Sequence, residues 1–287
     1  MRQSLGRRRL CTAPFLEVRD VAGRGRGVVA TARIEAGAVL HRASPMSHVV
    51  KQRPEGGPSL CRHCCAPLPS AATPFCSRAC EGAFDARGGA ILSRVDLGAL
   101  HALHAEQGRK FPLHVASLLA ALLAELRAGR VPARWAPLEL CYAELEPEAL
   151  AQTDGEHAAL VDAFVGAGVT TRETLDLLLP ASRYRRLLGA AQLNAFELKL
   201  SHGAVLSALL PGTASAFNHS CAPSVLLACG ETHEVAFVAG EPIEAGDEAL
   251  ISYVDCEAPD AERQHTLLYK YGFACDCPRC AERRQAT

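Results

Sequence analysis

The stretch "FNHSCAPSV", Phe217 to Val225, sets an amide, an imidazole, a hydroxyl and a thiol in four consecutive residues, Asn218 to Cys221. An apolar run, Val205 to Leu210, precedes it, and Pro223 follows the cysteine by two residues. So much hydrogen-bonding and metal-binding capacity has two readings. It is a polar turn that happens to hold a cysteine, or it is the floor of a site.

The other cysteines bear on the choice. The chain has 13, an odd number, with no secretory signal read at its start, and they cluster at short spacings that suit a metal better than disulfides. "CRHCCAPLPSAATPFCSRAC" gives C-x2-C-x11-C-x3-C through Cys61, Cys64, Cys76 and Cys80, a full tetrahedral zinc set in a loop too poor in apolar residues to fold alone. His63 and Cys65 sit beside the pairs and leave ligand identity open there. "CDCPRC" offers only three thiols, Cys275, Cys277 and Cys280, so a structural zinc needs a fourth ligand from elsewhere. Cys221 is the candidate, and two zinc ions are expected. The plain alternative is that Cys221 is an ordinary buried thiol.

Composition bounds the rest. With 287 residues, 49% of them hydrophobic, the chain can bury one large core or two smaller ones. A formal net charge of −1 argues against a general nucleic-acid binder. Four of the 30 basic residues are lysine (Lys51, Lys110, Lys199 and Lys270) and the others arginine, which reads as a compositional bias. No apolar run reaches the ~20 residues that span a bilayer, and "LHVASLLAALLAELRA" (Leu113 to Ala128) reads as a buried or amphipathic helix. The start, "MRQSLGRRRLCTAPF", holds four arginines and no acid; it is a basic tail or a short organelle-targeting segment.

Patterning divides the chain. β-like stretches ("FLEVRD", "GRGRGVVATA", "GAVLHRASPMSHVV") run from Phe15 to Val50, and the cysteine loop follows. From about Ala90 to Leu193 the pattern is helical, with a capping box at Thr170 and Glu173 opening "TTRETLDLLLP". Then "AFELKL", "AVLSALL", "SVLLAC", "EVAFVA" and "ALISYVD" read as strands. "RIEAGAVL" (Arg33 to Leu40) and "PIEAGDEAL" (Pro242 to Leu250) echo each other as tight glycine turns feeding strands.

"GRGV" (Gly25 to Val28), "LNAFEL", "FNHSCAPSV", "GDEALISYVD" and "YGFACDCPRC" resemble, in order, the motifs of SET-domain protein lysine methyltransferases, closest to the SET-and-MYND (SMYD) family. The resemblance covers about residues 15 to 282. It implies an α+β fold: a β-rich knotted SET core split by a zinc-binding loop and a helical insertion, and closed by a cysteine-rich post-SET segment. The layout it implies is a basic extension (1–14), a first SET half (15–50), a MYND-like zinc loop (51–89), a helical insertion (90–193), a catalytic SET half (194–274) and the post-SET segment (275–287).

The function implied is S-adenosylmethionine-dependent methylation of protein lysines, histone or non-histone. Gly25, Arg26, Gly27, Asn194, Asn218, His219, Tyr253 and Tyr271 match cofactor-binding positions. Tyr253 matches the catalytic tyrosine, and Phe196, Tyr271 and Phe273 match the lysine channel. Without that resemblance these are turn, core and strand residues. The chain departs from the family in its single four-cysteine loop and in stopping soon after "CPRC", before the family's C-terminal helical domain. A catalytically inactive SET scaffold that binds partners through the zinc loop or helical insert is the alternative, and another acceptor such as histidine is a third reading. A monomer in nucleus or cytoplasm, with a protein substrate and neither nucleic-acid nor membrane binding, is expected; mitochondrion or plastid is the alternative compartment.

Overall fold

The hairpin at the start of the chain turns on two glycines at positive φ, Gly23 (74°) and Gly25 (70°), a backbone region that side chains disfavour. They join β1 (Leu16–Val21) to β2 (Gly25–Ala30) in antiparallel register, with Val21 opposite Gly25 and Leu16 opposite Ala30. The computed structural model describes residues 15–131, 135–145 and 147–285. The basic N-terminal stretch, read as a tail or a short organelle-targeting segment, lies outside them. The chain forms two compact units, the first made of the described residues up to Ala43, Gly212–Ala228 and those from Val235 onward, the second of Ser44–Pro211 and Cys229–Glu234.

In the first unit, β3 (Val39–Ala43) pairs antiparallel with β9 (Val235–Ala239), and β8 (Val225–Cys229) flanks β9. Phe217 and Phe237 stack at 4.6 Å, and both are buried, as are Val28, Leu40, Val225 and Ile251 of the same unit. The two echoed turns meet. Ile34 and Ile243 exchange backbone hydrogen bonds of 2.9 Å each way, and Gly37 (83°) and Gly246 (97°) supply the positive φ of each turn. The "ALISYVD" strand is only two residues long, β10 (Leu250–Ile251), and it pairs in parallel with β7 (Asn218–His219). The unit closes with α8 (Asp260–Tyr271) and α9 (Pro278–Gln285).

In the second unit, β4 (Ser47–Gln52), β6 (Val205–Leu209) and β5 (Ala195–Lys199) form one antiparallel sheet in the order β4-β6-β5. The sequence stretch "GAVLHRASPMSHVV" therefore holds two strands, broken at Ser44–Met46, that join different sheets. Seven α-helices belong to this unit among the described residues: α1 (Arg78–Ala86), α2 (Gly89–Leu92), α3 (Gly98–Gln107), α4 (Phe111–Arg127), α5 (Pro147–Gly166), α6 (Arg172–Leu178) and α7 (Ala181–Asn194). The expected buried helix is α4. Leu113, Val115, Ala116, Leu119 and Leu123 are buried on it, and they pack with Leu160, Phe164, Tyr184 and Leu187 into one core. The capping box is displaced by one residue. Thr171, in extended geometry, caps α6 by accepting from the Thr174 amide, so Thr170 lies outside the cap. Two consecutive threonines gave the pattern two possible starts.

His114 on α4 is fully buried between two strand hydroxyls, Ser47 (2.9 Å from Nδ1) and Ser207 (3.0 Å from Nε2). Burial first, then His48, Lys110 and His104, holds its pKa down at about 3, so the folded state keeps it neutral. A depressed folded pKa gives stability that is complete above the unfolded value of about 6.5 and is lost as pH falls toward 3. From pH 7 to pH 5 this one group should cost about 2 kcal/mol. In urea titrations at the two pH values, His114→Gln should lose less stability on acidification than wild type. Equal losses would assign the acid sensitivity to other groups.

Candidate active site and zinc centres

The polar turn of the first unit is pinned by strand pairing. Asn218 lies opposite Leu250 and His219 opposite Ile251, the Ser220 amide donates to Ile251 O at 2.9 Å, and the Leu250 amide donates to the Ser224 hydroxyl at 3.1 Å. Asn218 Nδ2 donates to Glu248 Oε1 at 2.7 Å and to Arg26 O at 3.1 Å. Both amide donors are thus engaged, which leaves Oδ1 as the acceptor for a ligand. Glu248 also pairs with Arg24 at 3.1 Å. A Cβ on Gly27 would stand 2.4 Å from Glu248 Oε1 and 3.1 Å from Asn218 Nδ2, so only glycine lets this pair lie against β2. Glu248 and Arg24 were not singled out in the sequence. The acid lies inside "GDEAL", but its partners stand 30 and 224 residues away.

His219 is buried, and its Nδ1 accepts from the Tyr253 amide at 3.0 Å. The ring proton therefore sits on Nε2, which faces Cys221 Sγ at 3.3 Å. Burial, with Arg24 and Arg263 as like charges, holds the imidazole at about 4 and hence neutral. Both ring nitrogens are used within the protein. What His219 has left to offer a ligand is its ring face and edge.

Tyr253 gathers the aromatic residues. Its ring centroid lies 5.3 Å from His219, 4.8 Å from Tyr271 and 6.5 Å from Phe273, and its hydroxyl donates to Phe217 O at 2.7 Å. With the proton committed to that carbonyl, the phenolic oxygen acts toward a further partner as an acceptor. Burial pushes the Tyr271 hydroxyl up, which keeps it protonated. Gly25, Arg26, Gly27, Asn218, His219, Tyr253, Tyr271 and Phe273 thus all stand in this unit. Asn194 and Phe196 belong to the second. Asn194, at the end of α7, is buried and donates to Cys141 O (2.8 Å) and Ala190 O (2.7 Å), while Phe196 on β5 lies opposite Ala208.

Cys221, Cys275, Cys277 and Cys280 are all buried, with their sulfurs within 4.8 Å of one another. Cys221 is therefore the missing fourth member. Burial pushes the Cys275 and Cys280 thiols up, yet at Cys277 the backbone amides of Cys280 and Cys221 outweigh it and bring the thiol down to about 6. Beside the set lies Arg263, almost fully buried, its guanidinium held by Ala258 O (2.6 Å) and Asp260 (2.8 Å) and facing Cys221 and Cys280. A zinc ion with four thiolates carries a net charge of −2, and a buried cation is what such a centre needs. The Gln264 side chain clamps both the amide and the carbonyl of Cys275 at 2.9 Å. Tyr253, Tyr271, Phe273 and Leu267 pack on this cluster.

In the second unit, Cys61, Cys64, Cys76 and Cys80 form the other set. Sulfurs of Cys64 and Cys76 are 3.6 Å apart and those of Cys76 and Cys80 3.4 Å, near the ~3.8 Å edge of a tetrahedron built on ~2.3 Å Zn–S bonds. All eight thiols are free of disulfides. Backbone amides of Cys64, Cys76 and His63 overcome burial at Cys61 and lower it to about 7. Both sets fit zinc.

The sequence profile of the SET domain matches residues 25–254. The chain belongs to the SET-domain family. This SET domain is similar to N-lysine methyltransferase SMYD2-A of Xenopus laevis, 34% identical over 103 residues, a match covering 34% of this chain and 23% of the relative. It is also similar to Histone-lysine N-methyltransferase ATXR4 of Arabidopsis thaliana, 24% identical over 297 residues, 93% of this chain and 86% of the relative. The resemblance to SET-and-MYND proteins is thus borne out, although the SET domain matches less than a quarter of SMYD2-A. A crystal structure of the SET domain of LSMT bound to lysine and AdoHcy is 14% identical with a TM-score of 0.45, covering 93% of this chain and 54% of that one. No helix among the described residues of the SET protein is long and apolar enough to cross a membrane.

Proposed function

We propose that the chain is an S-adenosylmethionine-dependent protein lysine N-methyltransferase. The observation that supports this most is the aromatic group Tyr253, Tyr271 and Phe273 beside the Asn218–His219 strand pair in one unit of a SET domain. Its relatives SMYD2-A and ATXR4 are named as lysine methyltransferases, in agreement with it. The domain layout read from the sequence is proposed with it, as is a nuclear or cytoplasmic workplace.

The cofactor supplies an electrophilic methyl group on a sulfonium. In the proposed roles, Asn218 through Oδ1, the Gly25-Arg26-Gly27 backbone and the His219 ring would hold it. Tyr271 would complete its binding, and Tyr271 and Phe273 would line the lysine channel. About one lysine amine in a thousand is neutral near pH 7, given a reference pKa of about 10.4. A water-poor aromatic channel disfavours the ammonium and raises that fraction. The Tyr253 oxygen, an acceptor, aligns the amine N–H so that the nitrogen lone pair points along the line of displacement. Aromatic faces then attract the methylammonium that forms.

Calorimetry with S-adenosylmethionine, and incubation of the zinc-loaded protein with labelled S-adenosylmethionine and protein pools, test the reading. Mass spectrometry is expected to find the label on lysine. Protein that holds its zinc and binds no S-adenosylmethionine would overturn it, and label on histidine alone would change the acceptor.

A further inference from the structure

The geometry points to a third metal site, formed by His48, Cys65 and His233 and suited to a zinc-class divalent ion. All three belong to the second unit, and none belongs to either four-cysteine set. Their ligand atoms lie within 4.8 Å of one another, although the residues come from β4, from the cysteine loop and from the segment after β8.

Three separate features converge there. Cys65 is 1% exposed and holds a φ of +64°, the one positive φ at a non-glycine position among the described residues. Its backbone is fixed in that conformation by its own amide donating to Cys61 O at 2.9 Å. A turn at that position favours glycine; cysteine there places a sulfur at a defined point. His233 is 4% exposed, and its Nδ1 is buried with no hydrogen-bond partner. A buried ring nitrogen ordinarily finds a partner, and a metal supplies one. Its ring stands edge-on to His48, with centroids 5.2 Å apart.

The segment carrying His233 is also held in place. The His233 amide donates to Cys64 O at 2.7 Å, the Ser201 amide to Gly230 O at 3.0 Å, and His202 Nε2 lies 3.2 Å from both Cys65 O and Glu231 O. The donors are thus pre-positioned by bonds that do not involve them.

Two imidazoles and one thiolate suit zinc, and three protein ligands leave a fourth tetrahedral position. His48 and Cys65 both form part of the wall of a cavity of about 820 Å³, which also carries His63, Arg87, His101 and His104. That fourth position is left for a ligand from outside the three side chains. The site would clip three segments of the second unit together beside this cavity.

Metal analysis and zinc K-edge X-ray absorption on the full chain test this. The two four-cysteine centres alone give two zinc ions and a sulfur-only shell. Three ions per chain, with imidazole scattering added to the sulfur shell, are expected. His233→Ala should bring the count to two and remove the imidazole signal while leaving the sulfur shell. Two ions with a sulfur-only shell in the wild-type protein would overturn the proposal without recourse to a variant. So would three ions and an unchanged spectrum in His233→Ala.

Discussion

Cys280→Ser is expected to release one zinc ion and, with it, abolish measurable methyl transfer. Cys280 is buried in the set that includes Cys221, and the same cluster is the surface on which Tyr253, Tyr271 and Phe273 pack. Serine offers a hydroxyl that is not ionised at neutral pH, so the ion loses a quarter of its thiolate ligation. Arg263 then faces a depleted cluster with its cation still buried, which compounds the loss. Because His219 Nε2 rests on Cys221 Sγ, the disturbance also reaches the Asn218–His219 pair. S-adenosylmethionine affinity should fall at least tenfold, about 1.4 kcal/mol. Metal analysis, calorimetry and a transfer assay on one preparation check the three effects. A variant that loses its zinc but keeps full affinity and turnover would show the post-SET cluster to be independent of the site.

Tyr253→Phe is expected to lower methyl transfer at least tenfold while leaving cofactor affinity within about twofold, a barrier change of at least about 1.4 kcal/mol. The ring, with its contacts to His219 and Tyr271, remains, and only the hydroxyl bonded to Phe217 O disappears. The lost function is the acceptor that aligns the amine, so kcat should change more than KM for the protein substrate. Asn218→Ala is the contrast: it deletes the Oδ1 acceptor and leaves Glu248 short of a donor, so affinity should suffer first. Full activity in Tyr253→Phe would remove this tyrosine from the mechanism while leaving the enzyme reading intact.

What the sequence made legible was local. The two halves of the cysteine loop are close in the chain, and their spacing predicts Cys61, Cys64, Cys76 and Cys80 as one set, with His63 and Cys65 left open beside it. Cys221 was legible by arithmetic, because three thiols at the end of the chain needed a fourth. Tyr253, Tyr271 and Phe273 look like ordinary core aromatics in composition and pattern, and only the family resemblance distinguished them. Glu248, Arg24 and Arg263 escaped notice because a charged residue in a polar stretch reads as a solvated one. Their roles arise from partners brought close by the fold. His48, Cys65 and His233 span 185 residues of sequence with no spacing signal at all. The boundary within "GAVLHRASPMSHVV" was hidden too, since both halves have strand composition and only their pairing differs.

The second cysteine set also fixes an order of events during synthesis. Cys221 leaves the ribosome 59 residues ahead of Cys280, which at about 5–20 residues per second is a wait of roughly 3–12 s as a free thiol. Over that interval β7 has emerged, yet the residues that complete the aromatic group, Tyr271 and Phe273, have not. The nascent polypeptide is therefore exposed at this cysteine to oxidation and to wrong pairing with the earlier Cys61–Cys80 thiols, already in a position to capture metal of their own. Early zinc uptake by that first loop removes four competing thiols before the last four need to find each other.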